Sequence, residues 1–249
     1  MRRPPTKPLI IIPARMASTR LPGKPLADIH GMPMIVHVWQ RAMESKVGPV
    51  LVACDTQQIA DAIKNAGGEA VLTNPDHPSG SDRIWEALNL YKNGESYDAI
   101  INVQGDLPTI NPAIIRAAYD LLQNPEVDIG TLAVPIKSEK ERLATHIVKA
   151  VFDLAPGATQ GRAFYFSRLP VPSGEGTMHH HIGLYAYQRD ALARFVASPP
   201  SPLELREKLE QLRALSLGMR IEVGVIDDVP LGVDTPEDLE IARKVLGRK

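Results

Sequence analysis

Short, wholly apolar runs alternating with helix-patterned stretches constrain this 249-residue chain more than any other feature. The runs are Leu9–Ile12, which stops at Pro13, then Val50–Ala53, Ala70–Leu72 and Ala99–Val103. A strand covered on both faces reads as an unbroken apolar run, whereas a half-exposed strand alternates. Between them, Pro33–Ser45 carries Ile35, Val38, Trp39, Ala42 and Met43 on one helical face. Asp55 or Thr56 can cap a second helix that runs through Ala66 and closes at Gly67-Gly68. Ser81–Tyr91 and Pro112–Leu122 read as two more helices, the latter with proline at its favoured first position. Strand and helix in alternation predict an α/β fold, a Rossmann-like, mostly parallel sheet with helices packed on it. Such a sheet binds its ligand beyond the carboxyl ends of its strands. Functional residues are therefore expected just after Ile12, Ala53, Leu72 and Val103.

The second half is less regular. Gly130–Pro135, Val148–Phe152, His181–Tyr187 and Ile221–Val225 read as strands, and Arg189–Ala197 as a short helix. Leu169–Gly176 is rich in Pro, Gly and Ser and reads as a loop or lid. Pro202–Leu215 reads as one helix, with Leu205, Leu209 and Leu212 at i, i+4, i+7. Thr235-Pro236-Glu237-Asp238 supplies a cap, an N1 proline and an acidic N3 for a last helix to Leu246. No repeat or composition break interrupts the chain, so residues 1–249 are expected to form a single domain behind a loose, proline-rich arm at 1–8.

Composition excludes several classes. Lys+Arg 28 against Asp+Glu 29 leaves a net charge of -1, so no global basic field draws in nucleic acid. The one cysteine, Cys54, rules out an internal disulfide framework and a multi-cysteine zinc site. No apolar run approaches the ~18–20 residues of a membrane span. Leu9–Ile12 is too short for a signal-peptide core, so stable membrane association is not expected and a cytoplasmic location is.

The segment Pro13–Pro25, PARMASTRLPGKP, follows the first strand and gathers Arg15, Arg20 and Lys24 among small residues. Backbone N–H groups and cations in such a loop can wrap a polyphosphate. It is not a Walker A loop, since Gly23-Lys24 runs into Pro25. Asn102-Val103-Gln104-Gly105-Asp106 ends a buried strand on a carboxylate, and Asp234 follows Gly232-Val233. Two acidic loop ends beside three cations suit metal-assisted phosphoryl chemistry, because Mg²⁺ prefers oxygen ligands. Each acid alone would read as a turn or a helix cap. In Asp76–Arg83, Ser79 and Gly80 can present hydroxyl and N–H donors with Arg83 one turn on, or simply start a helix; spacing leaves both open.

Of His179, His180 and His181, the first and third share a strand face, but no cysteine or placed carboxylate completes a zinc site. His181, heading HIGLYAY, is the functional candidate of the three. Glu210 and Gln211 flank an apolar stripe and by themselves read as a solvated face.

Taken together these residues resemble the CMP-Kdo synthetase family, the 3-deoxy-manno-octulosonate cytidylyltransferases, of nucleotide-diphospho-sugar transferase fold. The resemblance runs through IIPARMASTRLPGKPLADIHGMPMIVHV, VACD, AGGEAVLT, SGSDR and NVQGDLP. It continues through TLAVPI, YFSR, HIGLYAY, PSPLELREKLEQLRAL and GVDTPEDLE, nearly the whole chain in order. It implies a Mg²⁺-dependent reaction of CTP with Kdo giving CMP-Kdo and pyrophosphate, in lipopolysaccharide synthesis, by a homodimer with a smaller dimerisation and lid region. It also implies that Arg15 and Lys24, with Arg20 nearby, grip the triphosphate, and that Ser79 and Arg83 help hold the nucleotide. Asp106 and Asp234 would hold the metal, with Asp106 also beside the nucleotide. Arg15, Lys24, Asp106 and Asp234 would carry catalysis. Gln104, Arg168, His181, Tyr185, Glu210 and Gln211 match the family's sugar side, which reverses the plain readings of His181, Glu210 and Gln211. The chain departs in having Leu107 where many members have Glu, SGSDR for a commoner SGT followed by Glu and Arg, and a short segment between Arg168 and His181. The competing readings are a cytidylyltransferase for another acidic sugar and a non-catalytic nucleotide-binding protein on the same fold. A descendant of the second kind would typically have lost the phosphate cations or the acidic pair.

Overall fold

A computed structural model describes residues 2–247. Backbone contacts divide the chain into two compact units. One is built from Thr6–Arg116 and the C-terminal segment starting at Pro230, the other from Ala117–Val229 and the N-terminal segment ending at Pro5.

The first unit holds strands β1 (Pro8–Ala14), β2 (Val50–Cys54), β3 (Glu69–Leu72) and β4 (Ala99–Asn102) in the order β3-β2-β1-β4. Every neighbouring pair among them is parallel. Three of the four apolar runs are buried as their lack of alternation requires: Leu9–Ile12 in β1, all five residues of β2 and all four of β4 lie in the interior. The Ala70–Leu72 run is not, because β3 is the edge strand, and Leu72 is 47% exposed. β1 does not stop at Pro13. It runs on to Ala14, because Pro13 still aligns with Ala53 and Ala14 with Cys54 near the strand's end, where a missing N–H costs little of the ladder. Helices α1 (Met34–Glu44), α2 (Gln57–Asn65) and α3 (Gly80–Leu90) supply the crossovers. The chain leaves β1 towards β2 and β3, then returns to place β4 on the other side. The order therefore reverses between β1 and β4, the place where open α/β sheets form a crevice. A last helix, Pro236–Leu246, opens on a Thr235–Asp238 capping box and packs Leu239 and Ala242 with Ile29, Met34 and Val233.

The second unit contains β5 (Ile129–Pro135), β6 (Lys149–Phe152), β7 (Gln160–Ser167), β8 (His179–Gln188) and β9 (Ile221–Val225), ordered β8-β5-β9-β7-β6. Here only β9 and β5 are parallel. β8 starts at His179 rather than His181, because its first residues also pair with β6. Strand β7 and a short helix at Glu139–Leu143 carry no expectation from the sequence.

The single helix expected over Pro202–Leu215 is two: Pro202–Glu207, then Gln211–Ser216, separated by Lys208 at φ 55. The leucine stripe is only partly real, since Leu205 is 65% exposed while Leu209 and Leu212 are buried. The break lets Arg213 fold back to make two hydrogen bonds to the Glu204 carboxylate, at 2.8 and 2.5 Å. The N-terminal segment is not loose either. Arg2 bonds Asp128 at 2.6 Å, Pro5 O accepts from the Tyr119 hydroxyl, and the Thr6 and Lys7 N–H groups donate to Asp98.

Candidate functional site

A cleft of about 750 Å³ lies at the carboxyl ends of the first unit's strands. The sequence builds it from three turns. The chain leaves β1 through Ala14, and the Met16 N–H is caught by Asp55 at the end of β2, 3.1 Å to each carboxylate oxygen. Gly23, at φ 67, then turns the chain into a tight 3₁₀ turn that presents Lys24. After β4, Gly105 passes so close to β1 that a Cβ there would lie 2.6 Å from Pro13 O. Only glycine allows the two strand ends this approach. Finally the Val233 N–H donates to Asp106 O at 2.9 Å, which ties the turn bearing Asp234 to the turn bearing Asp106.

Arg15, Arg20, Lys24, Ser79, Arg83, Gln104, Asp106 and Asp234 all line this cleft. Eight residues singled out from sequence, spread over 220 positions, thus meet in one place; Gln104 lies with the phosphate-type residues rather than apart from them. The Lys24 ammonium sits between the two acids, 2.9 Å from Asp106 Oδ2 and 3.0 Å from Asp234 Oδ1. Burial works to lower its pKa, but the Asp106 charge and the hydrogen bonds to both carboxylates outweigh that, and the pKa rises. Arg20 reaches the other Asp234 oxygen at 2.9 Å, an exposed pair of little energetic weight. Arg83 is buried and held by Thr73 Oγ1 at 2.6 Å and Pro75 O at 3.3 Å, with no carboxylate of the described residues at ion-pair distance. Ser79 is the N-cap of α3: its hydroxyl accepts from the Asp82 N–H and donates to Asp82 Oδ2. The segment therefore starts a helix, as one of its two readings has it, and Ser79 and Gly80 line the cleft at that start. His77, which sequence reasoning passed over, also lines the cleft and bonds Glu86. Among the described residues no group of three or more His, Cys, Asp or Glu could hold a metal ion. No described helix is long and apolar enough to cross a membrane.

The second unit gathers most of the remaining candidates. His181, on β8, is buried, with Nε2 3.0 Å from Thr131 Oγ1 and Nδ1 3.5 Å from Gln211 Nε2. Its ring meets Phe166 edge-on at 4.8 Å and lies 5.5 Å from Tyr185. Burial, helped slightly by His180, lowers its pKa to about 3, so the ring is neutral. Burial likewise pushes the Tyr185 phenol well up, with Tyr187 and Glu210 adding to the effect, so it remains protonated. Glu210 lies 3.9 Å from Arg213. Arg168 does not offer the open fork that a carboxylate would pair with. Its Nε, Nη1 and Nη2 donate to the carbonyls of Glu207, Thr145 and Lys208 at 2.8, 3.3 and 3.1 Å. Thr131, fully buried among apolar neighbours on β5, was missed from sequence; a lone hydroxyl in the otherwise apolar TLAVPI run is the signal that could have found it.

Known proteins fit this arrangement. A family model described as Cytidylyltransferase matches residues 9–221. The 3-deoxy-manno-octulosonate cytidylyltransferase of Rhodospirillum centenum is 61% identical over 246 residues, covering 99% of this chain and 96% of the relative. That of Parvibaculum lavamentivorans is 62% identical over 242 residues, covering 97% and 93%. The solved structure of CMP:2-keto-3-deoxy-manno-octonic acid synthetase complexed with CTP superposes with a TM-score of 0.88 at 36% identity, covering 98% of this chain and 99% of that one. A cytidylyltransferase from Leptospira borgpetersenii, at 17% identity and a TM-score of 0.61, shares the fold. The chain belongs to the 3-deoxy-manno-octulosonate cytidylyltransferase family.

Proposed function

We propose that this protein joins CTP to Kdo, releasing pyrophosphate and forming CMP-Kdo for lipopolysaccharide synthesis. The observation that carries the reading is the cleft in which Lys24 bridges Asp106 and Asp234 while Arg15, Arg20 and Arg83 face the same space. The anomeric C2 hydroxyl of Kdo attacks the α-phosphorus. A new P–O bond forms there, the bond to the β-phosphate oxygen breaks with pyrophosphate taking its electron pair, and the hydroxyl proton is lost to water. Such chemistry asks the protein for position and charge rather than for a covalent intermediate. Arg15 and Lys24 grip the triphosphate with Arg20 beside them, Arg83 supplies a fixed cation, and the first turn of α3 behind Ser79 offers N–H donors to the nucleotide. Gln104, His181, Tyr185, Glu210 and Gln211 serve the sugar. Arg168 does so only where it gives up carbonyls that now occupy its donors.

Mg²⁺ fits the residues present. Asp106 and Asp234 already converge on one cation, the Lys24 ammonium, and two hard oxygen donors suit an ion that keeps several waters and takes phosphate oxygens. When bound there, Mg²⁺ would neutralise phosphate charge and lower the pKa of the sugar hydroxyl. Leu107, buried in place of a common Glu, leaves two carboxylates for that duty. We assign the enzyme to the cytoplasm and to a homodimer; exposed Phe164, Leu143 and Leu169, at 54%, 60% and 63%, are apolar surface of the kind a subunit contact covers.

The test is pyrophosphate release with CTP and Mg²⁺ in the presence of Kdo, 8-amino-Kdo, N-acetylneuraminate or no sugar. Release with Kdo alone is expected. Release with another acidic sugar instead would move the specificity. No release from folded protein that still binds CTP would overturn the enzyme reading.

A further inference from the structure

We infer that Thr131 is a positioning residue that fixes the hydrogen-bond polarity of His181 and Gln211, so that Gln211 meets sugar hydroxyls with its Oε1 acceptor. The inference rests on the reading that His181 and Gln211 serve the sugar. It starts from an irregularity in β8. The pairing of β8 with β5 slips between Ile182 and Tyr185, and Thr131 is the β5 residue aligned with Tyr185. Carbonyls in such a bulge lose their ladder partners. Thr131 Oγ1 reaches two of them, Leu184 O at 2.9 Å and Ile182 O at 3.2 Å.

A hydroxyl has one proton and two acceptor lone pairs, and a carbonyl can only accept. The Thr131 proton must therefore point at these carbonyls, which leaves a lone pair facing His181 Nε2 at 3.0 Å. A lone pair there requires Nε2 to carry the ring's hydrogen. The ring is neutral, so Nδ1 is bare and acts as an acceptor. Gln211 Nε2, 3.5 Å from Nδ1, is then the amide end turned to the ring, which leaves Oε1 as the free acceptor end of that side chain. The order of donation runs from Gln211 to His181 to Thr131 to the bulge carbonyls. Each member is buried, so none can be reset by water. A polyhydroxylated sugar presents hydroxyl donors to Gln211 Oε1, and the second Nε2–H of Gln211 is left for a sugar oxygen.

The first test needs no variant. Long-range ¹H–¹⁵N correlation of the free protein, with His181 assigned by its loss in His181→Asn, should show a protonated-type nitrogen at Nε2 and a bare-type nitrogen at Nδ1. A proton on Nδ1 overturns the inference and leaves the pocket assignment standing. The second test is Thr131→Val beside Thr131→Ser. The valine variant should lose the single tautomer and raise KM for Kdo about 3- to 10-fold, the span of one uncharged hydrogen bond, with KM for CTP unmoved. Thr131→Ser should restore both, and it covers the case in which the valine variant fails to fold. An altered tautomer with an unchanged KM for Kdo would sink the sugar-side reading and this inference with it.

Discussion

Gly105→Ala isolates the contact that sets the cleft's shape. The added Cβ would lie 2.6 Å from Pro13 O, so the two strand ends must part by about 0.8 Å to reach the 3.4 Å where ordinary contact begins. The obstacle is backbone of β1, not the end of a flexible side chain, so it cannot swing aside. Overpacking of this kind costs about 1–3 kcal/mol. For a chain of this size that lowers Tm by about 2–12 °C. The larger effect falls on turnover. Asp106 is the next residue and Arg15 follows β1, so a sub-ångström parting of these ends shifts a carboxylate against the cations it works with. Misplacement on the order of 1 Å costs about 100-fold in rate. Pyrophosphate release under saturating CTP and Kdo reads the second effect and a thermal melt the first. Gly183→Ala serves as the stability control, because a Cβ there meets nothing within 4 Å. A Gly105→Ala protein with unchanged melting and near-wild-type turnover would refute the claim that this approach positions the site.

Asp106→Asn is expected to leave the fold intact and nearly abolish turnover at saturating CTP; a rate close to wild type would move the metal-binding role elsewhere. Lys24→Met should raise the CTP requirement and reduce turnover, and unchanged kinetics would demote the loop after β1 to ordinary surface. Arg213→Met strands the buried Glu204 carboxylate and should cost about 3–5 kcal/mol in denaturant unfolding, while adding Glu204→Leu recovers most of it; equal losses in both variants would count against the pair. His181 titrates near 3 when folded against 6.5 ordinarily, so between those values the unfolded chain binds more protons and stability falls as pH drops. His181→Phe should flatten that part of the stability-against-pH curve, and an unaltered slope would place the titration on another group.

The cleft at the strand ends was legible in the sequence because most of its residues sit just beyond unbroken apolar runs. Burial on both faces of β1, β2 and β4 suppresses alternation, so the runs announce parallel strands, and the parallel order announces where the ligand goes. In the second unit residue pattern singled out His181 alone, and only the family resemblance pointed to Arg168, Tyr185, Glu210 and Gln211. His181 and Gln211 lie 30 residues apart on a strand and a helix start, and the start itself was hidden inside what reads as one continuous helix. That helix breaks at Lys208, in the left-handed conformation, and Arg213 turns back to Glu204, a bond with no trace in local periodicity. Strand β7 was missed for a related reason: Gly161 and an irregular pairing with β6 at Val151–Phe152 blur its alternation. Arg168 is a residue whose chemistry suits a carboxylate, while the fold commits three of its five N–H groups to carbonyls.

The charges around the cleft account for the acidic pair as well as for the cations. Arg15, Arg20, Lys24 and Arg83 face Asp106 and Asp234, four positive groups against two negative, which leaves a surplus of two. A nucleoside triphosphate is close to fourfold negative, so the protein alone neutralises about half of it. Dropping the two carboxylates would balance the triphosphate without any metal, but it would also release Lys24 from the bonds that hold it in place. A divalent cation would supply the remaining positive charge and find oxygen ligands in the two acids. The acids thus hold Lys24 in register between the strand ends while the cleft is empty, and they leave the same oxygens available when phosphate offers the ammonium another partner. The placement of Lys24 and the oxygen donors offered to a metal then follow from one arrangement of three side chains, and Arg15, Arg20 and Arg83 add the charge surplus.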